Sequence, residues 1–255
     1  EEPIDKYVHV LKGSAYEGVR IKDVLQMSSG VSWDEDYSDP DSDINRWSKI
    51  FALGGSFDEF IQTLSHDFEP GTKNHYNSMD TQALGMLVTR STGQSITSYM
   101  TQMLWHPMGA EYESYWLLDS EGMEMAFAGF NATARDYAKL GELYRLDGKL
   151  NGKQIVPQSW VQSSIIPDGP HLLPGDNILS DYPLGYGYQW WVPEGNEGEF
   201  MAIGVYNQII YIAPESNIVI VKLSANSAYG TSEDVDMASE LESIEFFRAI
   251  ANKDT

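Results

Sequence analysis

From residue 180 onward the chain changes texture. Four segments rich in β-branched and aromatic residues, at 184–192, 199–205, 208–213 and 217–223, follow one another closely. That composition suits strands. The last three are joined by Tyr206-Asn207 and Pro214-Glu215-Ser216. Connections so short join antiparallel neighbours, because a parallel crossover needs a dozen residues or more. Residues 232–250 then read as a closing helix, with acids in the first turn and Arg248 near the end, as the helix dipole prefers. Upstream, the periodicity is helical. Residues 20–27 place Ile21, Val24 and Leu25 on one face, and residues 44–52, 57–64 and 98–104 are further helical pieces. Thr133 and Asp136 are spaced as a cap for a helix running through Tyr137, Leu140, Leu143 and Tyr144. Residues 147–153 form a turn or hairpin, and Pro157 starts another short helix. Segregated helix and strand imply an α+β fold, with a mainly helical region over 1–179 and an antiparallel sheet with its terminal helix over 180–255.

Thirty-eight Asp and Glu against 16 Lys and Arg give a formal charge of -22. Such a field repels phosphate backbones and anionic membrane surfaces, so no nucleic-acid partner is expected. Without cysteine there is no thiol catalysis, disulfide or thiolate metal site. No apolar run approaches the ~20 residues that span a bilayer. The opening Glu1-Glu2-Pro3 does not look like a translation start, so the sequence is expected to begin inside a longer protein.

One stretch stands out for chemistry. Glu69-Pro-Gly-Thr72 is a turn sequence, and Ala83, Leu84, Leu87 and Val88 recur at helical spacing. Tyr76 and Ser78 therefore sit where a turn opens onto a helix, able to point into one cleft. A helix N-terminus favours a phenolate, and a phenol with a lowered pKa suits general acid-base work. The competing reading is a packing tyrosine with its hydroxyl at the surface. Residues 34–43 hold six acids in ten. An EF-hand loop needs glycine at its sixth position and glutamate at its twelfth, and neither falls in place, so no metal is expected. The stretch reads as an exposed loop over the cleft. Trp190 and Trp191 alternate on a strand and face opposite sides. Gly204 marks either a bulge or a close backbone approach. No Gly-x-Ser-x-Gly elbow is present, and His75 is the histidine nearest the tyrosine motif.

Pro70-Gly71-Thr72, then Tyr76-x-Ser78, Leu84-Gly85 and Thr92-Gly-Gln-Ser95, resembles the serine hydrolases of the beta-lactamase and penicillin-binding-protein fold. It is most similar to their 6-aminohexanoate-dimer hydrolase and esterase branch, which is related to class C beta-lactamases. Asn131-x-Thr-x-Arg-Asp136, Asn151-Gly-Lys-Gln154, Gly185-Tyr-Gly-Tyr-Gln-Trp-Trp191 and Gly204-Val-Tyr-Asn-Gln208 resemble family signatures in the same order, so the likeness covers nearly the whole chain. It implies a bacterial hydrolase, periplasmic or cytoplasmic, that cleaves a small ester or amide through an acyl-enzyme without a cofactor. By the same likeness Tyr76 handles protons, Ser78 supports it and the Val205 amide donates to the oxyanion. Tyr37 lies on a loop that closes on substrate, where Asp36 or Asp43 meets a substrate amine. The strand motif reads Ala202-Ile203-Gly204 where beta-lactamases have Lys-Thr-Gly, which disfavours a carboxylate-bearing beta-lactam. Ala202 and Gly204 border the substrate, and Trp190 walls the acyl pocket while Trp191 is core. The family's Ser-x-x-Lys nucleophile motif occurs nowhere in the 255 residues. The nucleophile is therefore expected on a missing N-terminal segment of the same protein, and the chain alone is expected to be inactive. A beta-lactamase or D-alanyl carboxypeptidase, and a non-catalytic ligand-binding domain of the same fold, are the alternative readings.

Overall fold

Two 3-10 turns, Ile4–Lys6 and His9–Leu11, lead into a short helix α1 (Ile21–Leu25) in the computed structural model, which describes residues 1–195 and 197–253. Helices α2 (Asp43–Ala52) and α3 (Phe57–Ile61) start at Ser42 and Ser56, whose hydroxyls accept from the Asn45 and Glu59 amides. Each cap satisfies a donor that the first helical turn leaves open. Helix α4 (Ser78–Thr92) ends at Gly93, which takes the left-handed conformation at φ 67. Helix α5 (Ile96–Met100) runs on into a π turn, Thr101–Trp105. After the two-residue ladder of β1 (Tyr115–Trp116) and β2 (Phe130–Asn131), Thr133 caps α6 (Ala134–Arg145) by accepting from the Asp136 amide, as its spacing predicts. The hairpin of β3 (Lys149–Leu150) and β4 (Lys153–Gln154) and helix α7 (Gln158–Ser164) complete the helical region. Its core centres on Trp47, stacked on Phe57 at 4.0 Å and packed against Phe60.

The second region is a five-stranded antiparallel sheet in sequential order: β5 (Gly185–Tyr186), β6 (Trp191–Val192), β7 (Phe200–Gly204), β8 (Gln208–Ala213) and β9 (Ile218–Lys222). Gly204 pairs with Gln208 and Ala202 with Ile210, so the β7–β8 turn is tight. Side chains alternate across the sheet. Met201, Ile203, Ile209 and Tyr211 pack with Ile244 and Phe247 of the closing helix α8 (Glu233–Ala251). Phe200, Ala202, Ile210 and Ile212 pack with Trp190 and with Tyr144 of α6. The fold is therefore α+β, as the segregated texture predicts. No described helix is long and apolar enough to cross a membrane.

The aromatic stretch at 184–192 departs from the single strand expected for it. It is a hairpin, β5 to β6, closed by the Gly187 amide donating to the Trp190 carbonyl at 2.8 Å. Gln189 there has φ 64, and its amide donates to the Leu25 carbonyl at 3.0 Å. Strand propensity loses because the segment is tied to distant backbone. Helices expected over 20–27 and 57–64 also end earlier, at Leu25 and Ile61. Met27 takes φ 51 just after the first.

Candidate active site

Four hydrogen bonds set the start of α4. The His75 amide donates to the Met27 carbonyl at 2.8 Å, and the Asn74 side chain donates to the Gln26 carbonyl at 3.0 Å. Asn74 also donates its amide to the Leu179 carbonyl at 2.8 Å. Asn77 caps the helix by accepting from the Met79 amide at 2.8 Å. The strap fixes Tyr76 immediately before the cap and Ser78 as the first helical residue. The Tyr76 ring stacks on Trp191, with centroids 5.6 Å apart.

These residues border a cleft of about 520 Å³ between the start of α4, the end of β7, the 34–43 loop and α8. Tyr37, Tyr76, Ser78, Gly204 and Val205 all line it. Two expected members do not. Trp190 points to the opposite face of the hairpin, 4.5 Å from the Tyr144 ring and edge-on to Phe200, so its partner Trp191 forms the wall instead. Ala202 faces the α6 side for the same reason of alternation, and Ile203 takes its place at the cleft. Gly204 is no bulge. Its backbone is extended, φ -127 and ψ 166, and a Cβ added there meets nothing closer than 3.7 Å. The protein's own packing does not require glycine at this position. Immediately after Val205 the chain turns sharply, with Tyr206 and Asn207 at φ 63 and 61. The buried Asn207 holds the turn by accepting from Asn226 at 2.5 Å and Ser239 at 3.2 Å.

A residue missed in the sequence, Glu35, joins the loop to the motif. Its carboxylate accepts from the Ser78 hydroxyl at 2.8 Å, from the Tyr37 hydroxyl at 3.0 Å and from the Trp33 indole. Within a run of six acids nothing in the sequence separates Glu35 from its neighbours. Only the fold shows it turning inward. Desolvation raises its pKa against the pull of those donors, Ser78 foremost. Asp36 lines the cleft, but its carboxylate is engaged by the Ser38 amide and hydroxyl at 2.8 and 2.7 Å. Asp43 lies away from it, accepting from the Asp34 amide at 3.0 Å and pairing with Arg46. His75 is a rim tether, between Asp181 at 2.5 Å and the Trp33 carbonyl at 2.8 Å.

The helix dipole does not lower the Tyr76 phenol. Its pKa is pushed up, first by desolvation under Trp191 and then by the charge of Glu35. The expected depression fails because the ring lies in the aromatic stack, where loss of water outweighs the pull of the helix amides. Six carboxylates line the cleft (Asp34, Glu35, Asp36, Asp181, Asp236 and Glu240), and no lysine or arginine does among the described residues. No described group of three or more His, Asp or Glu is placed to hold a metal ion.

The beta-lactamase family pattern matches residues 1–243. The 6-aminohexanoate-dimer hydrolase of Paenarthrobacter ureafaciens is 30% identical over 232 residues, covering 88% of this chain and 59% of the relative. A solved structure from Bacillus anthracis, assigned as a 6-aminohexanoate-dimer hydrolase, superposes with TM-score 0.80 at 25% identity over 96% of this chain and 65% of that one. The penicillin binding protein of Bacillus halodurans shares the fold, with TM-score 0.66 at 18% identity over 95% of this chain and 78% of its own. The chain thus spans less than two thirds of the first two relatives' length. With a family pattern that runs through both regions and leaves only residues 244–255 unmatched, the chain belongs to the beta-lactamase family.

Proposed function

We propose that this chain is the substrate-facing part of a serine hydrolase that cleaves a small ester or amide through an acyl-enzyme. The observation that carries the reading is convergence. Tyr76, Ser78, Tyr37, Gly204 and Val205, from three separate stretches of sequence, border one cleft. In this reading the Val205 amide, at the end of β7, donates to the oxyanion, the kind of preorganised contact that contributes most to acyl transfer. Extended backbone at Gly204, where an added Cβ would meet only Gln208 at ordinary contact distance, supports a close approach by substrate. Tyr76 passes the proton between nucleophile and leaving group, and Ser78 orients it with Glu35 behind. Tyr37 covers the acyl group from the loop side.

The nucleophile belongs to a Ser-x-x-Lys that these 255 residues lack. A lysine beside Tyr76 would also offset the Glu35 charge and favour the phenolate. A neutral ester or amide fits better than a beta-lactam or a D-alanyl peptide, because Ile203 and the acidic wall offer a carboxylate no cation. The test compares p-nitrophenyl butyrate hydrolysis by the chain alone with hydrolysis by the chain joined to its own upstream coding sequence. Turnover is expected only from the longer protein. Turnover by the purified 255 residues would refute the upstream nucleophile, and a longer protein without turnover would favour the non-catalytic binding domain.

A further inference from the structure

A second groove, of about 610 Å³, continues the cleft along α8. Met237 and Glu240 line the cleft, and Leu241, Ile244 and Arg248, on the next turns of the same helix, line the groove. At 1.5 Å per residue the groove follows the helix for ~10 Å. Asp181 and Tyr182 border both spaces. The Tyr182 ring packs on Trp191 with centroids 5.1 Å apart, and its hydroxyl hydrogen-bonds Glu240, so the divide between the two is fixed. The wall opposite α8 is fixed as well. The Gly175 amide donates to the Pro183 carbonyl at 2.9 Å, and the Asn177 side chain donates to the Leu173 carbonyl at 3.0 Å. A groove with walls held in this way is formed before a ligand arrives.

The charged groups around the groove already have partners. Arg248 donates to Glu199 at 2.7 Å, to Glu245 at 2.8 Å and to the Glu194 carbonyl at 2.6 Å. Asp181 holds Lys73 at 2.7 Å and His75 at 2.5 Å. Asp176 and Glu194 are exposed at the rim, where water solvates them. Among the described residues, a charged ligand group therefore meets neither a free cation nor an unpaired buried acid in the groove. What remains for a ligand is apolar. Leu184 and Ile244, each 3% exposed, form the floor, and Leu241, 39% exposed, stands at the edge. An uncharged alkyl chain covers that floor and needs no charged partner, and each methylene it buries contributes up to about fourfold in affinity.

We propose that the groove is a distal subsite for the uncharged alkyl tail of a ligand whose other end lies in the cleft. It rests on the hydrolase reading only in taking that other end, at Tyr76, as the reacting one. The experiment titrates the 255-residue chain with n-butanol and with n-octanol and follows the backbone amides by chemical-shift perturbation. n-Butanol is expected to shift the amides of Tyr76 and Gly204 alone. n-Octanol is expected to shift those of Leu241 and Ile244 as well, and to bind at least ~10-fold more tightly. Leu241→Asp, at an exposed position, is expected to cost n-octanol about 10-fold while n-butanol affinity stays within about twofold, which also shows that the cleft is intact. Saturating n-butanol is expected to weaken n-octanol, because one molecule spans both spaces. n-Octanol shifts confined to the cleft, or an equal effect of Leu241→Asp on the two alcohols, overturns the subsite. Shifts at Leu241 and Ile244 that n-butanol leaves undisturbed overturn it too, since the groove would then hold a separate molecule. Turnover is not read, so an inactive chain leaves this result standing, and an active hydrolase without the groove shifts condemns the subsite alone.

Discussion

Tyr76 and Glu240 show how burial, more than sequence position, sets the chemistry of single groups here. The Tyr76 phenol is held protonated by the Trp191 stack and the Glu35 charge, although it precedes a helix. In the full-length hydrolase proposed above, Tyr76→Phe keeps the stack and removes the hydroxyl, so the acylation rate is expected to fall ~10²–10⁴-fold with stability retained. Stopped-flow acylation by p-nitrophenyl butyrate measures it, and an unchanged rate would assign Tyr76 to packing. Glu240 gives a prediction with a definite sign. Its folded pKa, about 7, lies above the ordinary 4.5, so the folded state binds the extra proton. Stability linked to this group is complete below about pH 4.5 and is lost as pH rises through 7. Glu240→Gln is therefore expected to gain ~1–3 kcal/mol relative to the parent at pH 8 and nothing at pH 4, read by urea unfolding at both pH values. Asp80, buried beside Tyr16 and also pushed up to about 7, contributes the same trend in both proteins and cancels in the comparison. A gain equal at both pH values would mean that Glu240 is not titrating.

At the scale of elements, local signals read correctly where local energetics decides. The caps at Thr133, Asn77 and Ser232 each accept from an amide two or three residues on, and the helices that they start are legible in the sequence. The β5–β6 hairpin is not, because its break depends on Gly187 passing under α7 and on Gln189 reaching α1 and α4. A Cβ on Gly187 would stand 2.1 Å from the Ser164 carbonyl oxygen, and Gln189 accepts from the Thr81 hydroxyl at 2.7 Å. That break also decides which tryptophan meets Tyr76, so the same long-range contact hid both the hairpin and the wall of the cleft. Glu35 and the α8 acids were hidden for a related reason: residue type gives no sign of which surface acid is turned inward. Gly187→Ala is expected to cost about 1–3 kcal/mol through this clash with rigid backbone. Thermal unfolding tests it, and a Tm within a degree of the parent would show that the hairpin can shift freely.

The whole molecule carries a charge of -22, and its cleft repeats that sign, with six lining carboxylates and no described lysine or arginine. Both scales act against an anionic substrate, but they differ in reach. The overall field is screened within a Debye length of about 8 Å at physiological salt, whereas the cost of setting a carboxylate against Ile203 and the buried acids is local and persists. The full-length hydrolase proposed above is accordingly expected to show a higher kcat/KM for p-nitrophenyl butyrate than for the carboxylate-bearing nitrocefin. Added salt separates the two terms. Between about 20 mM and 500 mM NaCl, nitrocefin turnover should rise by a few-fold as the long-range repulsion is screened, while ester turnover stays flat. The ester should remain the better substrate at the upper end, because screening does not supply the cation that the Ala202-Ile203-Gly204 strand lacks. If nitrocefin overtakes the ester at high salt, net charge alone explains the preference and the apolar strand edge has no part in it. If nitrocefin is already preferred at low salt, a cation outside these residues completes the site, and the enzyme acts as a beta-lactamase.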